Sequence, residues 1–259
     1  MFQIDYGRWL SEIIESNYKY RPLFVEGRAF PPIFFFGDPE KAVAATVGVN
    51  PSAGEFSKAR RWGFEYDELS NLLERCRNYF EKPAGVPPHP WFQVWERFLQ
   101  NIGVSYYNSP RAVHLDFSPR ATRSVSSLQK ESQQFHDLFL DLIKKDLKYL
   151  IEQLRAYCSI KYVYIAGSVT KKYYGIEFLR ENSRYLGYTL KPVMPFMRGG
   201  LGQVGLYNLD VGGAVLRYLF FCSTSPSGRV TPQPLVQEAH WLIKNYPAFL
   251  PSDPVQRRT

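Results

Sequence analysis

Cysteine is scarce in this chain: three among 259 residues, Cys76, Cys158 and Cys222, far apart and odd in number. That pattern does not make a disulfide framework, and without a Cys-x-x-Cys pair there is no zinc or iron–sulfur spacing. A reducing cytosol is the natural setting. No apolar run approaches the length of a membrane span. The N-terminus interleaves acidic with apolar residues, which is not the pattern of a signal peptide. A P-loop is also missing. Gly167-Ser168-Val169-Thr170-Lys171-Lys172 resembles a phosphate cradle only loosely and lacks the required spacing, so a nucleoside triphosphatase is excluded.

What is abundant is positive charge and rings. The formal charge is +8, with 18 tyrosines and 19 phenylalanines. Charge with rings suits a polyanion whose bases can be stacked or wedged, whereas charge alone would suit a ribosomal or membrane-surface protein equally well. A hydrophobic content of 45% supplies a core. The expectation is one α/β domain over residues 1–250, with a helical and extended arm over 1–40, followed by a disordered basic tail over 251–259.

The stretch Ala42 to Phe56 organises the chain. Its apolar run ends abruptly in Gly48-Val49-Asn50-Pro51-Ser52-Ala53-Gly54, as a buried parallel strand does when it breaks into a tight loop. Ligands of open α/β sheets bind just beyond such strand ends. Pro51 fixes its own φ and biases Asn50 away from helix, so the Asn50 amide sits on a stiff backbone. The alternative is that Asn-Pro-Ser merely starts a turn.

Around it, Ile4, Trp9, Leu10, Ile13 and Ile14 predict an amphipathic helix over 3–18, and Phe34, Phe35 and Phe36 read as packing. Lys58, Arg60 and Arg61 with Trp62 and Phe64 bring cations for phosphate and rings for a base; a solvated basic loop is the other reading. Helices are expected over 67–80 and 91–102. A second strand, Arg111 to Asp116, ends in His114 and Asp116 ahead of a Ser118-Pro119 turn with Arg120 and Arg123. Asp116 needs a donor, whether a ligand amino group, Arg120 or a backbone amide. His114 reads as a core histidine.

A long helix is expected over 131–157 with its charges solvated. A third strand follows over 160–168, then a helix over 169–182 capped by Ser168. Thr189 to Phe196 reads as extended and the glycine-rich 197–213 as a loop. A last strand over 216–222 leads to Ser223-Thr224-Ser225-Pro226-Ser227-Gly228-Arg229, and a helix over 235–246 closes the domain. Four strands alternating with helices predict a three-layer α/β/α sandwich around a mainly parallel four-stranded sheet. The loops at 48–56, 114–123 and 223–229 are then expected to converge on one cleft short of nucleophiles and metal ligands.

The Gly48-Val49-Asn50-Pro51-Ser52 and Ser225-Pro226-Ser227-Gly228-Arg229 loops, with their order, separation and intervening pattern, resemble the signature loops of the uracil-DNA glycosylase superfamily. The style is closest to its mismatch-specific and single-strand-selective branches, over about residues 32–246. The resemblance implies a base flipped out of single- or double-stranded DNA, hydrolysis of its N-glycosidic bond without metal or cofactor, a monomer, and a cytoplasmic site at the nucleoid or a nuclear one. Under it, Asn50 orients the attacking water, and Trp62 or Phe64 stacks on the base. His114 or Asp116 reads the base edge beside Gly48 and Val49, and Ser225 stands where most branches stabilise the leaving base with His or Asn. Ser52 and Ser227 grip phosphates with Arg60 and Arg61 nearby, and Arg229 is the wedge. The Ser225 and Asp116 departures imply slow turnover or a base other than uracil; a non-catalytic DNA-binding relative is the alternative.

Overall fold

The computed structural model describes residues 3–56, 68–81, 90–124, 128, 131–166, 176–199, 202–212 and 217–222, together with 236, 237, 240, 241, 244 and 245. Five α-helices have bounds among the described residues: α1 (Tyr6–Tyr20), α2 (Leu69–Arg77), α3 (Pro90–Asn101), α4 (Gln133–Ala156) and α5 (Ile176–Leu186). Six strands are defined: β1 (Ala42–Gly48), β2 (Arg111–Asp116), β3 (Tyr162–Ala166), β4 (Thr189–Gly199), β5 (Gly202–Asp210) and β6 (Arg217–Cys222). The sheet order is β2-β1-β3-β6-β5-β4. The fold is therefore α/β with a mixed sheet, and among the described residues that sheet has six strands where four were expected.

The chain divides into two compact units. One comprises Met1–Pro39, Gly48–Pro90 and Val113–Ala156; the other comprises Glu40–Val47, Trp91–Ala112 and Tyr157–Thr259.

In the first unit, Asp5 caps α1 by accepting from the Arg8 amide at 2.9 Å, satisfying one of the donors that a helix start leaves free. Trp9, Ile13 and Tyr20 form the buried face of α1. Ile14, expected on that face, is 55% exposed, because it falls about 100° around the helix from Ile13. Trp9 packs its ring on Tyr149 of α4 at 4.8 Å and on Phe34 at 5.8 Å. The arm is held by its backbone as well: Gln153 donates to the Phe34 carbonyl at 2.7 Å. The three phenylalanines of the arm are buried, as expected.

Helix α4 departs from expectation at one residue. Phe139, Leu142, Ile143, Leu147 and Leu150 are buried, but so is Asp146, at 0% exposure. Its position, three residues after Ile143 and four before Leu150, places it on the apolar stripe rather than on the solvated side.

In the second unit, β3 pairs in parallel with both β1 and β6. The strands are mostly apolar: Ala44, Ala45, Val47, Val163, Tyr164 and Phe220 are all fully buried, as expected of parallel strands in an α/β sheet, with Thr46 and Arg217 the buried polar exceptions on β1 and β6. Phe98 of α3 meets Tyr164 edge-on at 5.5 Å. The glycine-rich 202–210 segment, expected to be a loop, is strand β5, antiparallel to both β4 and β6. Its buried Leu206, Tyr207 and Leu209 supply the anchors, and Gly199 pairs with Gly202 at the hairpin end. The helices expected over 169–182 and 235–246 are described only from Ile176 and at the six helical residues between 236 and 245.

Replacing the fully buried Leu147 of α4 with Ala should cost about 2–5 kcal/mol in urea denaturation. Lys144→Ala, on the exposed side of the same helix, should stay within about 0.5 kcal/mol.

Candidate functional site

The candidate site lies within the first unit, where the chain leaving β1 runs beside the chain leaving β2. Phe117 donates its amide to the Gly48 carbonyl and Ser118 donates to the Val49 carbonyl, each at 3.1 Å. Ser52 and Thr122 then form a parallel bridge. Two of the three loops expected from sequence to converge are thus joined along their first few residues.

Asn50 sits in this seam, half-buried. Its Nδ2 donates to the Arg120 carbonyl at 3.1 Å, the Thr122 Oγ1 at 2.9 Å and the Pro51 carbonyl at 3.1 Å. Two of these acceptors are carbonyl oxygens, which can only accept, so the amide orientation is fixed: nitrogen into the seam, Oδ1 away from it. Among the described residues nothing donates to Oδ1. Pro51 is buried next to it. The side chain expected to meet a ligand is therefore pinned by its nitrogen, and its acceptor oxygen is left for something else.

Gly48 and the end of β2 make a second feature. His114 and Asp116 are two residues apart on one strand and so face the same way. His114 Nε2 lies 3.3 Å from Asp116 Oδ1, with both side chains buried. The expected core histidine is therefore half of an acid–imidazole pair. Gly48 faces this pair so closely that any other residue there would force the Asp116 carboxylate to shift. A Cβ there would stand 2.5 Å from Asp116 Oδ1 and 3.1 Å from the His114 ring. The second carboxylate oxygen of Asp116 is buried and has no hydrogen-bond partner among the described residues. Burial pushes the Asp116 carboxyl up from its ordinary range, and the charge and hydrogen bond of His114 pull against that without reversing it.

Arg120, considered from sequence as a partner of Asp116, is committed elsewhere. It is 2% exposed. Its Nε donates to Asp146 Oδ2 at 2.9 Å and its NH2 to Asp146 Oδ1 at 3.1 Å. The remaining protons go to Ser16 Oγ at 2.9 Å, Asn17 Oδ1 at 2.9 Å and the Ile13 carbonyl at 3.2 Å. The Tyr20 ring lies over the guanidinium at 5.2 Å. Ser118 Oγ adds a donor to Asp146 at 2.7 Å. Arg120 points toward α1 and α4 and not back toward the end of β2.

Ser52, expected at a phosphate, is exposed, and its Oγ accepts from the Gly54 amide at 3.1 Å. Its hydroxyl proton is uncommitted by that bond. Glu55, just beyond, is buried and accepts from the Tyr79 hydroxyl at 2.8 Å, while Phe56 stacks on Phe30 at 4.5 Å. These contacts anchor the far end of the first loop. Arg60, Arg61, Trp62, Phe64, Ser225, Ser227 and Arg229 lie outside the described residues, as does the expected meeting of the 223–229 loop with the other two. Among the described residues no group of three His, Cys, Asp or Glu could hold a metal ion, and no helix is long and apolar enough to cross a membrane.

Sequence reasoning missed Thr122, the Arg120 carbonyl and Asp146. Asp146 left a signal, a carboxylate on an apolar helical stripe; Thr122 left none.

Comparison with protein-family models, with curated proteins and with solved structures yields no match.

The raised Asp116 pKa carries a sign. The folded state holds its proton more tightly than the unfolded chain does, so folding is favoured most below the ordinary carboxylate pKa of 3.8 and loses that advantage as pH rises toward the folded value. Asp116→Asn keeps the shape without the charge. Its stability relative to the parent should therefore increase as pH is raised from about 4 toward neutrality. Urea midpoints that run parallel across this range would contradict the burial argument.

Proposed function

We propose that this chain is a DNA-glycosylase-like hydrolase that removes uracil or another deaminated or damaged base flipped out of DNA. The supporting observation is the Asn50 amide. An acceptor oxygen with a fixed direction, at a strand end, is what orients a water for attack on a sugar carbon. In that reaction the bond from C1′ to the base nitrogen breaks with its electron pair going to the base. The water oxygen bonds to C1′, and the water proton ends on the departed base by way of solvent. Asn50 holds the water by accepting one of its O–H groups, leaving the oxygen lone pair directed at the sugar. No covalent enzyme intermediate is needed, in keeping with a site poor in nucleophiles.

The resemblance to the uracil-DNA glycosylase superfamily assigns the other roles. Trp62 or Phe64 stacks on the base, Ser225 donates to the developing base anion, and Arg229 fills the vacated stack, offsetting the unstacking cost of about a few kcal/mol for rotating the base out. Backbone groups near Ser52 and Ser227, with Arg60 and Arg61, hold phosphates, and a net charge of +8 suits that partner. The His114–Asp116 pair beside Gly48 is the base-reading element. A charged carboxylate there accepts from an exocyclic amino group, and a protonated one donates to a carbonyl oxygen. A weak uracil activity and a wider range of bases follow from that chemistry.

The test uses oligonucleotides, single- and double-stranded, bearing uracil, hypoxanthine, xanthine or a mismatched pyrimidine, followed by alkali to break abasic sites. At least one substrate should be cut, and Asn50→Ala should lower the rate by about 100-fold or more. Salt-sensitive binding with no strand breaks on any substrate would overturn the catalytic reading and leave a DNA-binding protein with a base pocket.

A further inference from the structure

We infer that Thr122 is a positioning residue for Asn50, and that the buried Arg120–Asp146 pair fixes the backbone on which this positioning depends; the inference rests on Asn50 as the residue that orients water. Asn50 has two amide protons, and three acceptors lie within 3.1 Å of its nitrogen. The Thr122 hydroxyl is the nearest, at 2.9 Å. That hydroxyl has a single proton, and it is directed to the Arg123 carbonyl at 2.8 Å. Its lone pair is thereby turned toward Asn50, so Thr122 can only accept from it. The sequence of donors is Asn50 to Thr122 to Arg123, each bond polarising the next.

The ends of this chain of bonds are held. Arg123 donates from its backbone to the Leu23 carbonyl at 3.0 Å, from its guanidinium to Glu131 at 2.7 Å and to the Pro22 carbonyl at 2.9 Å. The other carbonyl facing Asn50 belongs to Arg120, whose side chain is clamped by Asp146, Ser16 and Asn17. Residues 120 and 122 bracket Asn50 because one is tied into α1 and α4 and the other is tied to its neighbour. An amide free to rotate would present nitrogen and oxygen to a water in turn. A pinned one presents only the oxygen.

Thr122→Val keeps the buried volume and the β-branch but removes the acceptor; Thr122→Ser keeps the acceptor. The first readout is the Asn50 side-chain NH₂ signal in ¹H–¹⁵N spectra of the full chain, assigned by its disappearance in Asn50→Asp. In Thr122→Val that signal should move, and its hydrogen exchange should accelerate by about fivefold or more; Thr122→Ser should stay close to the parent. The second readout is the single-turnover rate on the best-cut oligonucleotide. It should fall by about tenfold in Thr122→Val with the half-saturating DNA concentration unchanged, and Thr122→Ser should restore most of it.

An Asn50 signal unmoved in Thr122→Val overturns the inference. So does a parent that cuts DNA and a Val variant that cuts it equally fast. If the signal moves as stated but the parent cuts no oligonucleotide, the positioning contact stands and the glycosylase reading fails.

Discussion

The seam between the two loops is the constraint on which the site depends, and the Asn50 nitrogen is its centre. A primary amide at a strand end can point either of its ends at a ligand, with little to choose between them energetically when it is solvated. Here the choice is made by carbonyl and hydroxyl oxygens of residues some 70 positions further along the chain. The backbone bonds from Phe117 to Gly48 and from Ser118 to Val49 bring those oxygens into range. The Asn50 amide is thereby held in one orientation.

Buried ion pairs are costly, since desolvation of both charges offsets much of their attraction, and well-packed apolar residues often do as well or better for stability. The Arg120–Asp146 pair is therefore poorly explained as a source of stability alone. Its geometry is good: Nε and NH2 reach the two carboxylate oxygens, and the remaining protons find Ser16, Asn17 and the Ile13 carbonyl. What it delivers is a backbone carbonyl held still opposite Asn50. The His114–Asp116 pair is the complementary case. Among the described residues it leaves one buried carboxylate oxygen without a partner, an arrangement that carries a desolvation cost. Gly48 is the residue that makes room for it.

Much of this was legible in the sequence. The bounds of β1 and β2 follow from apolar runs that stop at Gly48 and Asp116, and α1 and α4 follow from their periodicity. The hairpin of β4 and β5 was hidden by its glycines, which outweigh Val204, Leu206 and Tyr207 in a reading by composition. His114 and Asp116 share a strand face by parity, so their pairing was accessible from spacing alone. Asp146 was accessible too, as a carboxylate on an apolar stripe. The Asn50–Thr122 contact was not, because it joins residues whose proximity is decided by the pairing of two distant strand ends and by nothing local.

The most direct measurement is the orientation of one amide. An atomic-resolution crystal structure, refined with hydrogen positions or backed by neutron diffraction, should show Asn50 Nδ2 donating to the Arg120 carbonyl and Thr122 Oγ1. It should also show an ordered water on Oδ1 with no protein donor there. An amide turned the other way, or an Oδ1 capped by a protein N–H, would remove the fixed acceptor and with it the proposed chemistry.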